Sequence, residues 1–281
     1  MGIIMKRRWM RLLLVPVLSG LLLAGCGQGG TEKVQGLDKL GSISAVTREA
    51  DSGTRATFDD VTDIINEGDG IKEAGSTEDV LKAVGEDAGA IGYLTGEAAD
   101  DSVKILDVEG KKISDKKYPL TRQLYLANKS PVSDLEQDFI TFVTGKGQDI
   151  VKEDFEPVGK SVSFLSMKPV GTLKIGGSSS EAPIMEKLAQ AYMKENPKAK
   201  VTVETNDSGT GINGALEGTY DLGMSSRKPK SYEKSLLKFT PVAQDRIAVI
   251  VGKENPLTSI TLDQLKSIYT GEITKWGELY E

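Results

Sequence analysis

Three segments of the chain combine glycine with serine or threonine, each after a strand-like run and before a helix-like run: residues 176–183, 48–55 and 206–211. Glycine allows the backbone to approach a ligand closely, and a helix N-terminus presents free N–H groups at the positive end of its dipole. Hydroxyl groups add hydrogen-bond donors without adding charge. Each segment alone is also explained as an ordinary capped helix. Together the three predict a site for a small tetrahedral oxyanion, held mainly by neutral dipoles.

The same segments lack the groups that other kinds of site require. No Gly-Lys-Ser/Thr follows any of the three glycine-rich turns, so none is the phosphate-binding loop of a nucleotide hydrolase. The chain has no His and one Cys, which excludes Ser-His-Asp and Cys-His catalysis, His-based zinc sites and an internal disulfide framework. A serine nucleophile at Ser52 or Ser179 would have no evident base. We therefore expect no enzyme activity, no cofactor and no metal.

The composition supports a folded soluble protein and argues against a nucleic-acid binder. Hydrophobic residues make up 38% and charged residues 27% of the 281 residues, which suits a folded soluble body. The formal net charge is −6, whereas a nucleic-acid-binding protein needs a basic field. Arg48, in the second segment, could supply a local positive charge and a planar fork for an oxyanion. Affinity for an anion would then come from the local site.

The N-terminus has the features of an export signal. Four basic residues between positions 6 and 11 precede a short apolar run, residues 12–25, that is too short to span a membrane comfortably. The run ends Leu-Ala-Gly before Cys26, which resembles a bacterial lipobox. A diacylated Cys26 would carry two long chains, enough for stable anchoring. The alternative is an ordinary secretory signal with an incidental cysteine. We predict a signal peptide over 1–25 and a lipid-anchored flexible tether over 26–40.

Strand-like and helix-like runs alternate through the rest of the chain, which predicts an α/β architecture. Short β-branched and apolar runs predict strands at 42–47, 103–108, 172–175, 201–204 and 247–251. Apolar residues at helical spacing, together with the segments that follow the glycine-rich turns, predict helices at 56–66, 135–143, 182–196, 212–217 and 261–269. The pattern lapses around 157–171, which predicts a connection.

Several motifs resemble those of the phosphate-binding proteins of Pst-type phosphate ABC transporters. The stretch Ile-Gly-Gly-Ser-Ser-Ser-Glu-Ala-Pro-Ile at 175–184 is similar to the first motif of that family, and Asp-Ser-Gly-Thr-Gly at 207–211 to the second. Later family motifs are matched, in family order, by residues 220–227, 241–251 and 269–276. The motifs expected next stand instead near the front of the chain, at 47–55, 90–93 and 118–122. Each motif occurs once, so a circular permutation is the simplest interpretation.

The resemblance implies a two-lobed periplasmic-binding-protein type II fold, circularly permuted, with the ligand cleft between two α/β lobes. The first lobe would comprise 119–245, with the old termini joined near 161–171. The second would comprise 41–118 plus 246–281. Hinges are expected near 244–248 and 116–120. Because permutation is tolerated where termini lie close together at the surface, Gly41 and Tyr280 should be neighbours on the second lobe.

The resemblance also implies a set of phosphate-binding residues drawn from both lobes. Ser179 and Ser180 would supply hydroxyl and N–H groups, Ser208 a hydroxyl, and a clamp from the other lobe would complete the site. The eight residues carried over are Ser179, Ser180, Ser208, Arg48, Ser52, Gly53, Thr54 and Ser226. Two further arginines, Arg55 and Arg227, are expected either near the cleft or paired with surface carboxylates.

Ser226 departs from the family pattern, in which many members have an acidic residue at this position. A carboxylate there can accept the proton of HPO₄²⁻ and reject fully ionised sulfate, because an acceptor buried against an unprotonated oxygen is costly. A serine can donate or accept, so Ser226 should discriminate less. Asp207 or Asp51 could take over the acceptor role. Receptors for sulfate, molybdate or tungstate therefore remain an alternative.

The resemblance implies an extracytoplasmic receptor that is lipid-anchored to the bacterial cell membrane. It would capture inorganic phosphate and deliver it to a membrane-embedded ABC permease. Its other contact would be with the lipid bilayer through Cys26, and it would act as a monomer without binding nucleic acid. The alternative in the same fold is a surface sensor or scavenger of phosphate that works without a permease.

Overall fold

The computed structural model describes residues 34–280, all of which belong to one compact unit. The predicted signal peptide, Cys26 and residues 27–33 of the predicted tether lie outside the described residues. The remainder of that tether, residues 34–40, was predicted to be flexible, but Leu37–Leu40 form a short 3₁₀ helix in which Leu37 is buried. Among residues 34–280, none of the helices has both the length and the apolar character needed to span a bilayer.

Strands and helices alternate as the α/β prediction requires. The twelve strands are β1 Ser44–Arg48, β2 Lys72–Ala74, β3 Ala90–Thr95, β4 Val103–Ile105, β5 Asp107–Val108, β6 Thr121–Asn128, β7 Glu156–Pro157, β8 Gly171–Ser178, β9 Ala199–Asn206, β10 Leu222–Ser225, β11 Lys238–Gly252 and β12 Ser259–Ile260. The eight α-helices within residues 34–280 are α1 Gly53–Thr62, α2 Thr77–Gly85, α3 Asp134–Thr144, α4 Gln148–Asp154, α5 Ala182–Glu195, α6 Ser208–Glu217, α7 Ser231–Leu236 and α8 Leu262–Tyr269.

One large mixed sheet runs through the compact unit, with the strand order β2-β1-β3-β11-β6-β10-β8-β9. β1 lies parallel to β2 and β3, and β8 lies parallel to β9 and β10. The long strand β11 runs antiparallel to both β3 and β6, so it joins the two parallel groups. Short strands β4 and β7 also pair with β11, and β5 pairs with β12. In parallel groups of this kind ligands bind beyond the carboxyl ends of the strands.

Two sets of hydrophobic cores lie on either side of this junction. We call core A the buried cluster contributed by residues 124–243, which packs α3 and α5 on the β8 side of the sheet. Core B is contributed by residues 37–120 and 247–279 around β1, β3 and α8. The chain crosses from one core to the other at 120–124 and again at 243–247. The crossing at 243–247 overlaps the hinge predicted at 244–248, whereas the crossing at 120–124 begins only where the hinge predicted at 116–120 ends.

The predicted elements are present, but several boundaries were wrong. β8 continues through Ser178, although residues 176–178 were expected to be loop. Its backbone stays paired with β9 as far as Asn206. The glycines at this end of β8 let Tyr220 and the backbone of Met224 approach closely. The helix expected from position 56 begins at Gly53, and the one expected from 212 begins at Ser208. The predicted 103–108 strand is two short strands. Capping residues mark helix starts more accurately than apolar periodicity does.

The beginning and the end of the described chain lie together. Trp276 donates its backbone N–H to the carbonyl of Gly41 at 3.0 Å, and Ser42 pairs with Lys275 in an isolated antiparallel bridge. Gly41 and Tyr280 line one cavity, in agreement with the expected closeness of these two residues. Residues 158–170 contain neither helix nor strand, as the loss of pattern there indicated.

Candidate functional site

The carboxyl ends of β1, β8 and β9 each lead into a helix within five residues, and these three turns are the predicted glycine-rich segments. Ser52 caps α1 by accepting the N–H of Arg55 at 3.4 Å. Asp207 caps α6 by accepting the N–H of Thr210 at 2.7 Å. α5 starts after Glu181, with a proline in its first turn. Because β1 and β8 run in opposite directions, their carboxyl ends face each other where the two parallel groups join along β11, and three helix N-termini with their positive dipole ends converge there.

The turns from the two cores meet directly. Arg48 donates from Nη2 to the hydroxyl of Ser179 at 3.1 Å. The hydroxyls of Thr54 and Ser180 lie 2.9 Å apart. The backbone N–H of Gly209 is donated to the carbonyl of Asp51 at 3.1 Å. All of these contacts join residues that are far apart in the chain, so the predicted binding segments form one site.

Ser226 lies in the same site and is surrounded by hydroxyl groups. It accepts a hydrogen bond from Ser178 Oγ at 2.9 Å, and its backbone N–H is donated to Ser208 Oγ at 3.0 Å. The two carboxylates that were expected to replace the missing acidic residue are placed elsewhere: Asp207 caps its own helix and Asp51 is exposed. The expectation that either supplies the acceptor inside the site is therefore not supported by their positions.

Arg48 brings a buried positive charge to the site, with only 1% of the residue exposed. Glu49 holds the guanidinium in a bidentate pair, with Nε–Oε2 at 2.8 Å and Nη2–Oε1 at 2.6 Å. Such a fork fixes the plane of the guanidinium and offsets most of its charge. The site therefore offers oriented donors with little net charge, which suits an oxyanion bound mainly by dipoles.

Thr77 completes the site, although the sequence analysis missed it. This buried residue opens α2, and its hydroxyl accepts from Arg48 Nη1 at 3.3 Å and lies 3.2 Å from the hydroxyl of Ser179. The local sequence Gly-Ser-Thr before a helix carries the same signal as the other turns. It was overlooked because the preceding strand, β2, has only three residues.

A buried ion pair also reaches the site from the point where the chain crosses between the cores. Arg122 on β6 donates from Nε to Asp245 Oδ2 on β11 at 2.7 Å, and from Nη1 to the hydroxyl of Thr54 at 2.7 Å. Asp245 also accepts from the hydroxyl of Thr95, which belongs to β3. Arg122 thus links β6 and β11, the strands in which the chain crosses between the cores, to the glycine-rich segment 48–55.

Glu181, in the glycine-rich segment 176–183, is unusual because it is fully buried and neither carboxyl oxygen completes a hydrogen bond within the described residues. Burial raises the pKa of Glu181 well above its ordinary value. The backbone of Ser225 and of Tyr125 and the charge of Arg122 oppose this shift only in part. The folded protein therefore holds this carboxyl in its protonated form over a wider pH range than the unfolded chain does.

Replacing Glu181 with glutamine should remove a pH-dependent destabilisation. The unfolded chain releases this proton above a pKa of about 4.5, whereas the folded protein keeps it. The free energy of unfolding of the wild type therefore falls as pH rises from that value towards the folded-state pKa, by up to about 1.4 kcal/mol per pH unit from this group. Because glutamine does not titrate, Glu181→Gln should gain stability over the wild type between pH 5 and pH 8.

Urea unfolding at both pH values measures this difference. Glu186→Gln, which changes an exposed glutamate on the same helix, serves as the control and should follow the wild type. A stability difference between Glu181→Gln and the wild type that does not change with pH would contradict the assignment.

Arg55 and Arg227, which were expected either near the cleft or paired with surface carboxylates, both pair with carboxylates. Arg55 lies 2.8 Å from Glu67 and 3.7 Å from Asp59, and it donates to the carbonyl of Arg48 at 2.8 Å. Burial and the charge of Glu67 raise the pKa of Asp59 to about 6. Arg227 makes a bidentate pair with Glu233, at 2.9 and 2.7 Å. Both arginines therefore pair with carboxylates, but Glu233 is buried and not a surface carboxylate, and Arg227 also lines a cavity together with Arg122.

The fold and the site agree with what similarity to known proteins shows. A model of the PBP superfamily domain matches residues 165–279. Together with the mixed α/β fold, this match is typical of the periplasmic-binding-protein class. Phosphate-binding protein PstS 2 of Streptococcus pneumoniae is 35% identical over 293 residues, which cover 98% of this chain and 100% of that protein. The chain belongs to the PstS family of phosphate-binding proteins.

Two further comparisons extend this result. The crystal structure of a phosphate-binding protein of a phosphate ABC transporter from Streptococcus pneumoniae is 35% identical and superimposes with a TM-score of 0.70, over 85% of this chain and 100% of that one. The likeness confirms the predicted type II fold. Phosphate-binding protein PstS of Bacillus subtilis is 34% identical over 115 residues, or 40% of this chain and 38% of that protein. These relatives are named as binding proteins, which agrees with the prediction that the chain is not an enzyme.

Proposed function

We propose that this protein is the extracytoplasmic phosphate receptor of an ABC transporter, which captures inorganic phosphate and passes it to a membrane-embedded permease. The observation that carries the proposal is that buried hydroxyls from both cores meet one another, with Arg48 hydrogen-bonded to two of them, Ser179 and Thr77. Ser179 and Ser180 come from core A, and Thr54 and Thr77 come from core B. An oxyanion between them would receive donors from both sides, as a receptor that closes around its ligand requires.

We further propose that the two cores correspond to the two lobes, 119–245 and 41–118 plus 246–281, and that the chain bends at its crossings. The Arg122–Asp245 pair lies at these crossings and is hydrogen-bonded to Thr54 of the second lobe. Movement of the lobes would therefore change the surroundings of the anion-binding turn directly. We also propose that the receptor acts as a monomer.

A calorimetric titration of phosphate and sulfate tests the function. The protein is unfolded and refolded to strip bound ligand, and both anions are compared at one ionic strength from pH 5 to pH 8. We expect tight phosphate binding. Sulfate binding at least ~100-fold weaker, a difference of ~2.7 kcal/mol, would mean that an acceptor other than residue 226 discriminates between the two anions. Comparable affinities would favour the alternative of a general oxyanion receptor, because hydroxyl groups alone surround Ser226. An absence of heat with either anion would overturn the proposal.

We propose that Cys26 carries a diacylglycerol and anchors the receptor to the cell membrane. The lipobox-like sequence before the chain's single cysteine supports this. Mass spectrometry of the mature protein should find the lipid on an N-terminal Cys26, and Cys26→Ser should be recovered in the medium. A mature N-terminus elsewhere would contradict the anchor.

We also propose that the chain is a circular permutant of the more usual PstS order, with residues 161–171 joining the former termini. The closeness of Gly41 and Trp276 supports it. The match of only about 115 residues to the Bacillus subtilis protein supports it as well, because one block is expected to stay collinear after permutation. A rearranged chain that begins at residue 165 and joins 281 to 41 through a short linker should bind phosphate as the natural chain does.

A further inference from the structure

Five of the eight large hydrophobic side chains that are exposed among residues 34–280 lie in one stretch of thirteen residues, 158–170. We call this stretch the apolar loop. It has no helix or strand, and its exposed members are Val158, Val162, Leu165, Met167 and Val170. Leu165 and Met167 are 86% and 87% exposed. A concentration of apolar surface of this kind marks an interaction site.

The apolar loop is held in one conformation by its inward-facing residues. Phe164 packs against Phe142, with ring centroids 5.3 Å apart. The buried carboxylate of Asp138 accepts the hydroxyl of Ser166 at 2.6 Å and the backbone N–H of Met167 at 3.1 Å. Because residues 164 and 166 point inward, residues 165 and 167 must point outward. Their exposure therefore follows from specific contacts rather than from the lack of a place to pack.

Lys168 carries backbone strain at the same point. Its φ of 55° lies in the left-handed region, which residues other than glycine adopt rarely and at a cost. Its N–H is donated to Ser166 Oγ at 2.9 Å, and the carbonyl of the next residue, Pro169, accepts from Asn196 at 2.9 Å. The surrounding hydrogen bonds maintain this conformation and hold Met167 outward.

The charge of the apolar loop differs from that of the rest of the chain. Lys160 and Lys168 are exposed in it, and no Asp or Glu occurs from residue 157 to residue 180. The whole chain, in contrast, has 41 acidic residues and a formal net charge of −6. Exposed aliphatic side chains flanked by lysines are complementary to an anionic lipid surface, where the side chains enter the interface and the ammonium groups lie among the phosphates.

We propose that the apolar loop is a membrane-contact site that docks this protein on an anionic phospholipid surface. The contact goes beyond phosphate binding and does not depend on it, because the loop contains none of the residues of the anion site. The contact would be modest in strength and would orient the receptor relative to the bilayer. It would also weaken at high salt, since the electrostatic attraction to the lipid is screened.

Tryptophan probes test the contact in the full chain, purified after processing by a bacterial host. Met167→Trp places the probe in the apolar loop, and Ile65→Trp places it at an equally exposed position, 87%, near core B. Each protein is combined with vesicles of phosphatidylcholine alone or mixed with phosphatidylglycerol. With phosphatidylglycerol, Met167→Trp should shift its emission to the blue and be quenched by brominated lipid, while Ile65→Trp should not.

Charge variants separate the proposed contact from any lipid anchor. The variant Lys160→Ala/Lys168→Ala, made in the Met167→Trp background, should have a lower vesicle-bound fraction of the tryptophan probe. We expect the partition coefficient of the loop on the vesicles to fall about 30-fold. Lys72→Ala/Lys82→Ala, at exposed positions on β2 and α2, should leave it unchanged. Equal spectra for the 167 and 65 probes would overturn the proposal. A blue shift that needs no vesicles and grows with protein concentration would also overturn it and indicate a second copy of the chain.

Discussion

Replacing Arg48 with methionine should weaken phosphate binding by about 10²- to 10³-fold, because truncating one partner of a buried, hydrogen-bonded charge pair costs about 2–5 kcal/mol. The substitution removes the donors to Ser179 and Thr77 and with them a buried positive charge that is hydrogen-bonded to the 176–183 turn. Methionine keeps much of the side-chain volume, so the packing around β1 should survive. Calorimetric titration with phosphate measures the loss.

Two further variants show whether the loss belongs to the guanidinium itself. Arg246→Met removes another arginine of β11. Arg246 pairs with Glu156, with 3.3 Å between Nη2 and Oε2, and it does not belong to the anion turns, so phosphate affinity should be nearly unchanged. Arg48→Met/Glu49→Met also removes the carboxylate that the first substitution leaves without its partner. If this double variant recovered wild-type affinity, the effect would come from the uncompensated Glu49 and not from lost donors to phosphate.

Replacing Gly53 with alanine should impair binding by about 10- to 100-fold while leaving the fold intact. A Cβ at this position would contact Ser208 Oγ, lie 2.5 Å from Ser226 Oγ and lie 2.9 Å from the backbone carbon of Ser226. The backbone atom cannot rotate away, so the turns of the two cores must separate, and overpacking of this kind costs about 1–3 kcal/mol. Gly53 begins α1 without a positive φ, so alanine meets no backbone strain there.

The control for this steric effect is Gly159→Ala, where the nearest heavy atom to the new Cβ would be 3.9 Å away. Both variants are compared by thermal unfolding without phosphate and by titration with it. We expect similar unfolding temperatures without ligand and a loss of affinity in Gly53→Ala only. Unchanged affinity in Gly53→Ala would mean that the two turns do not need to approach so closely when phosphate is bound.

The sequence analysis located the site because its signals are local. A strand, a Gly/Ser turn and a capped helix occupy about a dozen consecutive residues, so the turns at 48–55, 176–183 and 206–211 can be recognised without tertiary information. The α/β class follows in the same way from alternating patterns. The departure at Ser226 was also visible, but only through the resemblance, because it is a difference from the acidic residue of the family pattern.

Other features depended on contacts that no local pattern encodes. Thr77 joins the site because β2 pairs with β1 at the edge of the sheet, which places the start of α2 beside Arg48. The Arg122–Asp245 pair forms because β6 and β11 are neighbours with Asp245 opposite Arg122. The burial of Glu181, and with it the raised pKa of its carboxyl, results from packing against β6 and β10.

Short-range chemistry thus determined which segments could bind an oxyanion, and the order of the strands determined which of them face one another. Arg48 and Ser179 are 131 residues apart in the chain, and Thr54 and Ser180 are 126 apart. Their distances, the protonation of Glu181 and the outward display of Leu165 and Met167 are set by the sheet and the two cores, because only the folded chain brings distant residues within hydrogen-bonding range and removes water from between them.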